Sequence, residues 1–307
     1  MSLLARVRVQ VPASTSNLGP GFDCLGMALR WYNELTVEMH SEKGPPEVEI
    51  SGEGAATLPR DASNLMVRAA NTVIAGRFQN RLVFKARNRI PLARGLGSSS
   101  TAIVAGLFAA NRLIQPEPLN PQQLFEYAAV MEGHPDNVAP AIFGGVTLSV
   151  KEHKAFHNRF LTPHRDLCAV VCIPDFELAT AAARAVLPDT VLLGAAVENV
   201  SRAMLLASAL EKGRWADLAL AMGDRLHQPY RSALIPGFQD VLRAATEAGV
   251  CGAALSGSGS TILALCRKGP QAEAIGAAMT SAFQKHNISS RALVLALDRK
   301  GVLIRKK

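Results

Sequence analysis

The chain is 307 residues long, 49% hydrophobic and 19% charged, with 24 glycines and 17 prolines. That balance can build a core large enough for two modest domains and excludes a disordered or collagen-like chain. Lys and Arg number 33 against 25 Asp and Glu, a formal charge of +8 that suits an anionic substrate such as a nucleotide as well as plain solubility. The positive residues are scattered and aromatics make up 5%, which disfavours a nucleic-acid surface built on base-stacking rings.

Taken in chain order, Val7-Arg-Val-Gln-Val11 alternates like a strand and carries charge where a secretory leader would need an apolar block. The run Pro12-Ala-Ser-Thr-Ser-Asn-Leu-Gly-Pro-Gly-Phe-Asp23 is dense in turn formers and predicts a loop. Residues 35–40 and 47–51 read as strands around Gly44-Pro45-Pro46, and 64–77 as a helix that Asp61 or Ser63 would cap. From Arg81 to Ile90 basic and apolar residues alternate, so a strand there would turn Arg81, Lys85, Arg87 and Arg89 to one face and Leu82, Phe84, Ala86 and Ile90 to the other. A helix over 121–131 and a strand over 144–150 follow.

Residues 151–166 are charged and His-rich, and place a domain boundary near 155, giving domains 1–155 and 156–307. Beyond it, 167–173 reads as a buried strand, 189–212 as a helix, 236–249 and 270–286 as helices opened by proline, and 261–266 and 292–297 as strands. Helices lying against short, separated strands make the fold α+β. The five cysteines form no Cys-x-x-Cys pair, which implies reduced thiols and a cytoplasmic setting. The uncharged stretches 95–111 and 248–266 are broken by Gly and Ser and do not read as membrane spans. His153 and His157 have the spacing of a helical metal pair, but no zinc motif accompanies them.

The stretch richest in chemistry is Ile90-Pro-Leu-Ala-Arg-Gly-Leu-Gly-Ser-Ser-Ser-Thr101, a strand end, a loop with two glycines, three serines and then an apolar helix. Glycines let consecutive N–H groups converge, and the helix aims its positive end at the same point, which makes an anion cradle; the same residues would also serve as a simple helix cap. No Gly-Lys-Ser/Thr closes the loop, so it is not a Walker A motif, and no Gly-x-Ser-x-Gly surrounds Ser98, Ser99 or Ser258. His164-Arg-Asp-Leu167 matches the start of a protein-kinase catalytic loop, but Val171 stands where its asparagine would be needed.

Pro91-x-x-x-Gly95-Leu-Gly-Ser-Ser99 closely resembles the ATP-binding signature of the GHMP kinases. Val11-Pro-Ala-Ser-Thr-Ser-Asn-Leu-Gly-Pro-Gly-Phe-Asp23 is similar to the first motif of that family in its homoserine-kinase branch, and Gly252-Ala-Ala-Leu-Ser-Gly-Ser-Gly-Ser260 to its third. Gly133-His-Pro-Asp-Asn-Val-Ala-Pro-Ala141 and His227-Gln-Pro-Tyr-Arg-Ser-Ala-Leu-Ile-Pro-Gly237 are similar to that branch's substrate segments. Ser100 and Ser260 depart from the usual alanine and proline.

The resemblance implies the two-domain fold of that family, with a ribosomal protein S5 domain 2-like N-terminal domain and a ferredoxin-like C-terminal domain. It implies ATP with Mg2+ and phosphorylation of the hydroxyl of L-homoserine in threonine biosynthesis; another small alcohol, such as mevalonate or shikimate, and a non-catalytic sensor are the alternatives. On the nucleotide side it points to Asn64, Pro91, Leu92, Ala93, Arg94, Gly95, Leu96, Gly97, Ser98, Ser99, Ser100, Thr101, Gly257 and Gly259, with Ser99 and Glu126 holding magnesium and Glu132 as the rival carboxylate. On the substrate side Arg184 and Arg231 would grip a carboxylate and Asp23 an ammonium group, while Asn17, His134, Asn137 and Thr180 supply polar contacts. Asn137 stands where several related kinases place an aspartate base, so positioning and electrostatics would carry catalysis, with Asp136 and Asp23 as rival bases. Partners are expected to be the two small molecules and a second copy of the chain, with neither nucleic acid nor membrane.

Overall fold

The computed structural model describes residues 2–76, 79–113, 118–153 and 155–306. Arg77, at the expected end of the first helix, and Lys154, inside the expected boundary segment, lie outside them. In chain order the first half holds β1 (Leu3–Asn17), β2 (Gly21–Lys43), β3 (Glu47–Gly52), α1 (Leu65–Ile74), β4 (Asn80–Asn88), α2 (Ser98–Leu113), α3 (Pro121–Glu132), α4 (Val138–Phe143), β5 (Val146–Glu152) and β6 (Ala155–Leu161). The second half holds β7 (Leu167–Pro174), α5 (Thr180–Ala185), α6 (Leu193–Lys212), α7 (Leu218–Ala221), α8 (Gln228–Arg231), α9 (Phe238–Glu247), β8 (Gly252–Leu255), β9 (Ile262–Arg267), α10 (Gln271–Gln284), β10 (Ser290–Ala296) and β11 (Leu303–Lys306).

The first sheet runs β11-β1-β2-β4-β3, with the β5-β6 hairpin paired to the start of β2. Val7, Val9 and Val11 alternate inward along β1, and Leu82, Phe84 and Ala86 along β4, against a layer of α1 to α4. Phe84 and Phe125 are fully buried in this core, each burial contributing about 1.5–3 kcal/mol. On the basic face of β4, Lys85 and Arg81 are paired to Glu38 and Glu42 of β2, while Arg87 is exposed.

The segment expected as a loop over 12–23 is instead two strand ends joined by the corner Leu18-Gly19-Pro20, with Asn17 opposite Gly21. Its Ser and Thr residues are buried polar partners between the two sheets, not solvated turn residues. Across the boundary expected at 155, β5 pairs with β6 as far as Leu161, and β11 returns to pair with β1. Strand pairing, not local charge, therefore places the division of the sheets between Leu161 and Leu167.

The second sheet has the order β10-β7-β9-β8 and is antiparallel throughout, the split βαβ arrangement of a ferredoxin-like domain. α9 and α10 pack on one face. Leu206 and Leu210 of α6, Ala221 of α7 and the β1–β2 corner pack on the other, so one shared core joins the two sheets. α2 is buried on every side from Ile103 to Asn111, as expected of a helix without charges there. A Cβ on Gly106 would overlap the Met66 carbonyl, so α1 and α2 touch backbone to backbone and α2 is held rigidly with its N-terminus at the seam between the sheets.

Candidate active site

A cavity of about 520 Å³ opens at that seam. Its floor is the loop from Leu92 to the first turn of α2, where Ala93, Gly95 and Gly97 have positive φ of 51°, 68° and 71°. A Cβ at Gly95 would overlap the Ser256 carbonyl, and one at Gly97 would overlap the Ser14 hydroxyl, so both positions demand glycine for space as well as for conformation. The carbonyls of Ala93, Arg94, Gly95 and Leu96 accept from Leu178 N, Thr261 N, Ser256 Oγ and Ser14 N in turn. Among the described residues no protein acceptor takes the N–H groups of 95–99, which lie at the positive end of α2. An anion is the natural occupant of that nest.

Two other glycine-bearing segments complete the floor. Ser256 Oγ bonds to both the Gly95 carbonyl, at 2.6 Å, and Thr15, at 2.8 Å, and Gly257 N donates to the Ser16 carbonyl at 3.1 Å. Asn17 donates to the Gly257 carbonyl at 2.9 Å and accepts from Asp23 N at 3.0 Å. The three segments form one hydrogen-bonded unit.

The inner end of the cavity is charged. Arg184, in the last turn of α5, grips Asp23 bidentately at 2.8 and 3.1 Å. Arg231 is 2% exposed; its Nε donates to the Ala183 carbonyl at 3.0 Å and its Nη1 to the Gly257 carbonyl at 3.2 Å. Both guanidinium groups lie near the Phe22 ring, at 5.8 and 5.2 Å from its centroid. His134 Nδ1 sits 2.6 Å from buried Asp136. Burial depresses the His134 pKa, but the hydrogen bond and charge of Asp136, reinforced by Glu132 and Asp23, outweigh it and raise the value above the ordinary 6.5. Asp23, His134 and Asp136 each bring a ligand-capable atom within 4.8 Å of the others. Next to Asp23, Cys24 is pushed up to about 11 by burial and the two carboxylates, so no thiolate nucleophile is available at neutral pH.

These features match a known pattern along the chain. Residues 64–145 match the GHMP kinases N terminal domain and residues 206–285 the GHMP kinases C terminal domain. The chain is 44% identical to a homoserine kinase of Moorella thermoacetica over 298 residues, covering 96% of this chain and 99% of that one. It is 43% identical to a homoserine kinase of Nostoc punctiforme over 303 residues, covering 98% and 99%. The chain belongs to the GHMP kinase family. Among solved structures, homoserine kinase from Cytophaga hutchinsonii superposes with a TM-score of 0.90 at 30% identity, covering 99% of both chains. The mevalonate kinase of L. major, at 16% identity and a TM-score of 0.69 over 95% of this chain and 96% of that one, shares the fold.

Of the residues the family resemblance singles out, Asn17, Asp23, Asn64, residues 92–99, His134, Asn137, Thr180, Arg184, Arg231 and Gly257 all line the one cavity. Pro91, Ser100, Thr101 and Gly259 do not line it. Thr101 bonds back to the Ser98 carbonyl and accepts from Asn33, and a Cβ on Gly259 would press on Ile235 and Leu255, so these residues brace the loops from behind. Asn64 caps α1 through Met66 N at 3.0 Å while still facing the cavity. Thr180 Oγ1 lies 3.3 Å from Ser258 Oγ at the cavity edge.

Glu126 requires correction. Its carboxylate reaches Gln122 on the exposed face of α3 and is absent from the cavity wall. Glu132, the last residue of α3, instead accepts from Ser99 Oγ at 2.6 Å and Ser100 Oγ at 2.8 Å. Six residues separate the two along the helix, about 9 Å of rise and about one and two-thirds turns, so one of them faces α2 and the other solvent. Gly133, left-handed at φ 90°, stops α3 at the point that presents Glu132 to the α2 N-terminus. Ser14 and Ser16 also escaped the sequence reading: they clamp the Asn137 amide from both ends, at 2.8 and 2.9 Å. The signal was present in the polar parity of Ala13-Ser-Thr-Ser16, which resembles turn chemistry unless the partner strand is known.

Proposed function

We propose that the chain transfers the γ-phosphoryl group of ATP to the side-chain hydroxyl of L-homoserine, forming O-phospho-L-homoserine in threonine biosynthesis. The observation that carries the reading is the charge pattern at the inner end of the cavity, where an arginine–aspartate pair and a second, buried arginine lie beside an anion nest. A zwitterionic amino acid satisfies that pattern: its carboxylate takes the guanidinium groups of Arg184 and Arg231, and its ammonium takes Asp23, so substrate replaces an internal ion pair with two external ones. The near full-length identity to homoserine kinases supports the same substrate.

The reaction needs alignment and charge neutralisation more than covalent participation. The N–H groups of 95–99 and the α2 dipole bind phosphate oxygens, and Asn64 marks the adenine end. Ser99 Oγ and the Glu132 carboxylate are hard oxygen donors 2.6 Å apart beside that nest, which fits Mg2+; bound there, the ion would neutralise charge on the phosphate oxygens. Asn17, His134, Asn137 and Thr180 orient the amino acid and its hydroxyl. Asn137 is fixed by two serines and has no basic site, so it positions without taking the proton. Replacing Asp136 by Asn should lower kcat less than about 100-fold; a loss of several thousand-fold at unchanged KM would make Asp136 the general base.

We read the chain further as a cytoplasmic homodimer. All five cysteines are free, and α6 exposes Leu193, Val197, Val200 and Met204 along one side. No helix among the described residues is long and apolar enough to cross a membrane. An ADP-release assay with L-homoserine, mevalonate and shikimate tests the substrate reading. Turnover should occur with L-homoserine alone, whereas ATP binding without turnover on any alcohol would favour the sensor.

A further inference from the structure

We propose that His227 is the positioning residue of the carboxylate clamp: its imidazole, in the neutral Nε2–H form, holds Arg231 through Nδ1 and anchors itself to the β1–β2 corner through Nε2. The inference rests on the homoserine reading of the site. His227 is completely buried just before α8, one helical turn ahead of Arg231. Its Nε2 lies 2.9 Å from the Gly19 carbonyl, which can only accept, so Nε2 carries the proton. Its Nδ1 lies 3.3 Å from Arg231 Nη1, which can only donate, so Nδ1 is bare.

The surrounding groups hold that state. The nearby Asp224 carboxylate is 3.6 Å from Nε2, but it already accepts from the backbone N–H groups of Leu226, His227 and Gln228. The Phe22 ring stacks on the imidazole at 5.1 Å and 18°. Burial lowers the His227 pKa, and the Arg231 charge works in the same direction against the pull of Asp224, Gly19 and Asp23. A second proton would face the guanidinium directly.

The consequence concerns how the clamp is aimed. Nε of Arg231 is spent on Ala183 and Nη1 on His227 and Gly257; Nη2 is the one nitrogen with no protein acceptor among the described residues. His227 therefore fixes which edge of the guanidinium faces the cavity. It also ties that edge to the corner between Asn17 and Asp23, linking the carboxylate and ammonium ends of the site.

The test compares two variants. His227→Phe keeps a ring against Phe22 but offers Arg231 no acceptor; His227→Asn returns an amide oxygen near the Nδ1 position. His227→Phe should raise KM for L-homoserine about tenfold or more, with KM for ATP and kcat within about twofold, and His227→Asn should recover most of the loss. A KM for L-homoserine within about twofold of wild type in His227→Phe, or equal damage to both substrates, overturns the proposal. Long-range proton–nitrogen NMR of histidine-labelled wild-type protein, assigned by the signal missing from either variant, is the independent reading. It should show Nδ1 unprotonated and Nε2 protonated from pH 6 to 8; a protonated Nδ1 overturns the proposal even if a variant folds poorly. Wild-type turnover of L-homoserine is measured first, because its absence removes the substrate reading while the tautomer measurement still decides the geometry.

Discussion

The two ends of the cavity are built from different materials. The glycine-loop end is largely backbone: four consecutive carbonyls are tied away into neighbouring segments, and five N–H groups have no protein acceptor among the described residues. The arginine end is side chain: Asp23, Arg184, Arg231, His134 and Asp136 come from β2, α5, α8 and the α3–α4 connection, with Arg184 paired to Asp23 and His134 to Asp136. A backbone nest is preorganised and tolerates few substitutions at its glycines, whereas a charged side-chain site must exchange partners when substrate arrives.

The largest effect should come from attacking the backbone end. Gly95→Ala adds a Cβ against the Ser256 carbonyl at positive φ, and kcat/KM for ATP should fall about 1,000-fold. Gly133→Ala, also at positive φ but with nothing within 4 Å of the added Cβ, should cost only the left-handed strain of about 1–2 kcal/mol in thermal unfolding and leave ATP use nearly unchanged. Similar losses from both would mean that the close approach at Gly95 is unimportant.

Next comes the carboxylate at the junction of the two ends. Glu132→Gln should lower kcat about 100-fold and raise the Mg2+ concentration needed for half-maximal rate, while Glu126→Gln stays within about twofold of wild type. The reverse ranking would restore the helix face that the sequence favoured.

That ranking shows where reading from sequence stops. Alternation in β1 and β4 and the uncharged run of α2 were legible because each element's burial pattern is written in its own residues. The glycine loop was legible for the same reason: its chemistry is local. Glu132 was not, because the choice between it and Glu126 depends on how α3 packs against α2. Ser14 and Ser16 look like turn residues until their partner Asn137 arrives from more than 120 positions away. β6 and β11 carry exposed charges, and only their pairing to β5 and β1 assigns them to the first sheet.

The smallest effect concerns the side-chain end and pH. The folded-state pKa of His134 is raised, so its protonation stabilises the folded protein below the unfolded value near 6.5, and the contribution fades as pH rises through the higher folded value. The melting-temperature advantage of wild type over His134→Gln should therefore shrink by a few degrees from pH 6 to pH 8. A gap that widens over this range would show that Asp136 does not favour the charged imidazole.

The exchange of ion pairs at the arginine end is tested most directly by an alcohol that carries homoserine's carboxylate and hydroxyl but no ammonium group. With purified wild-type protein and saturating Mg-ATP, kcat/KM for 4-hydroxybutanoate should lie at least about 100-fold below that for L-homoserine, because Asp23 loses its arginine and gains nothing in return. Equal turnover of the two alcohols would contradict the account, leaving Asp23 without a part in selecting the substrate.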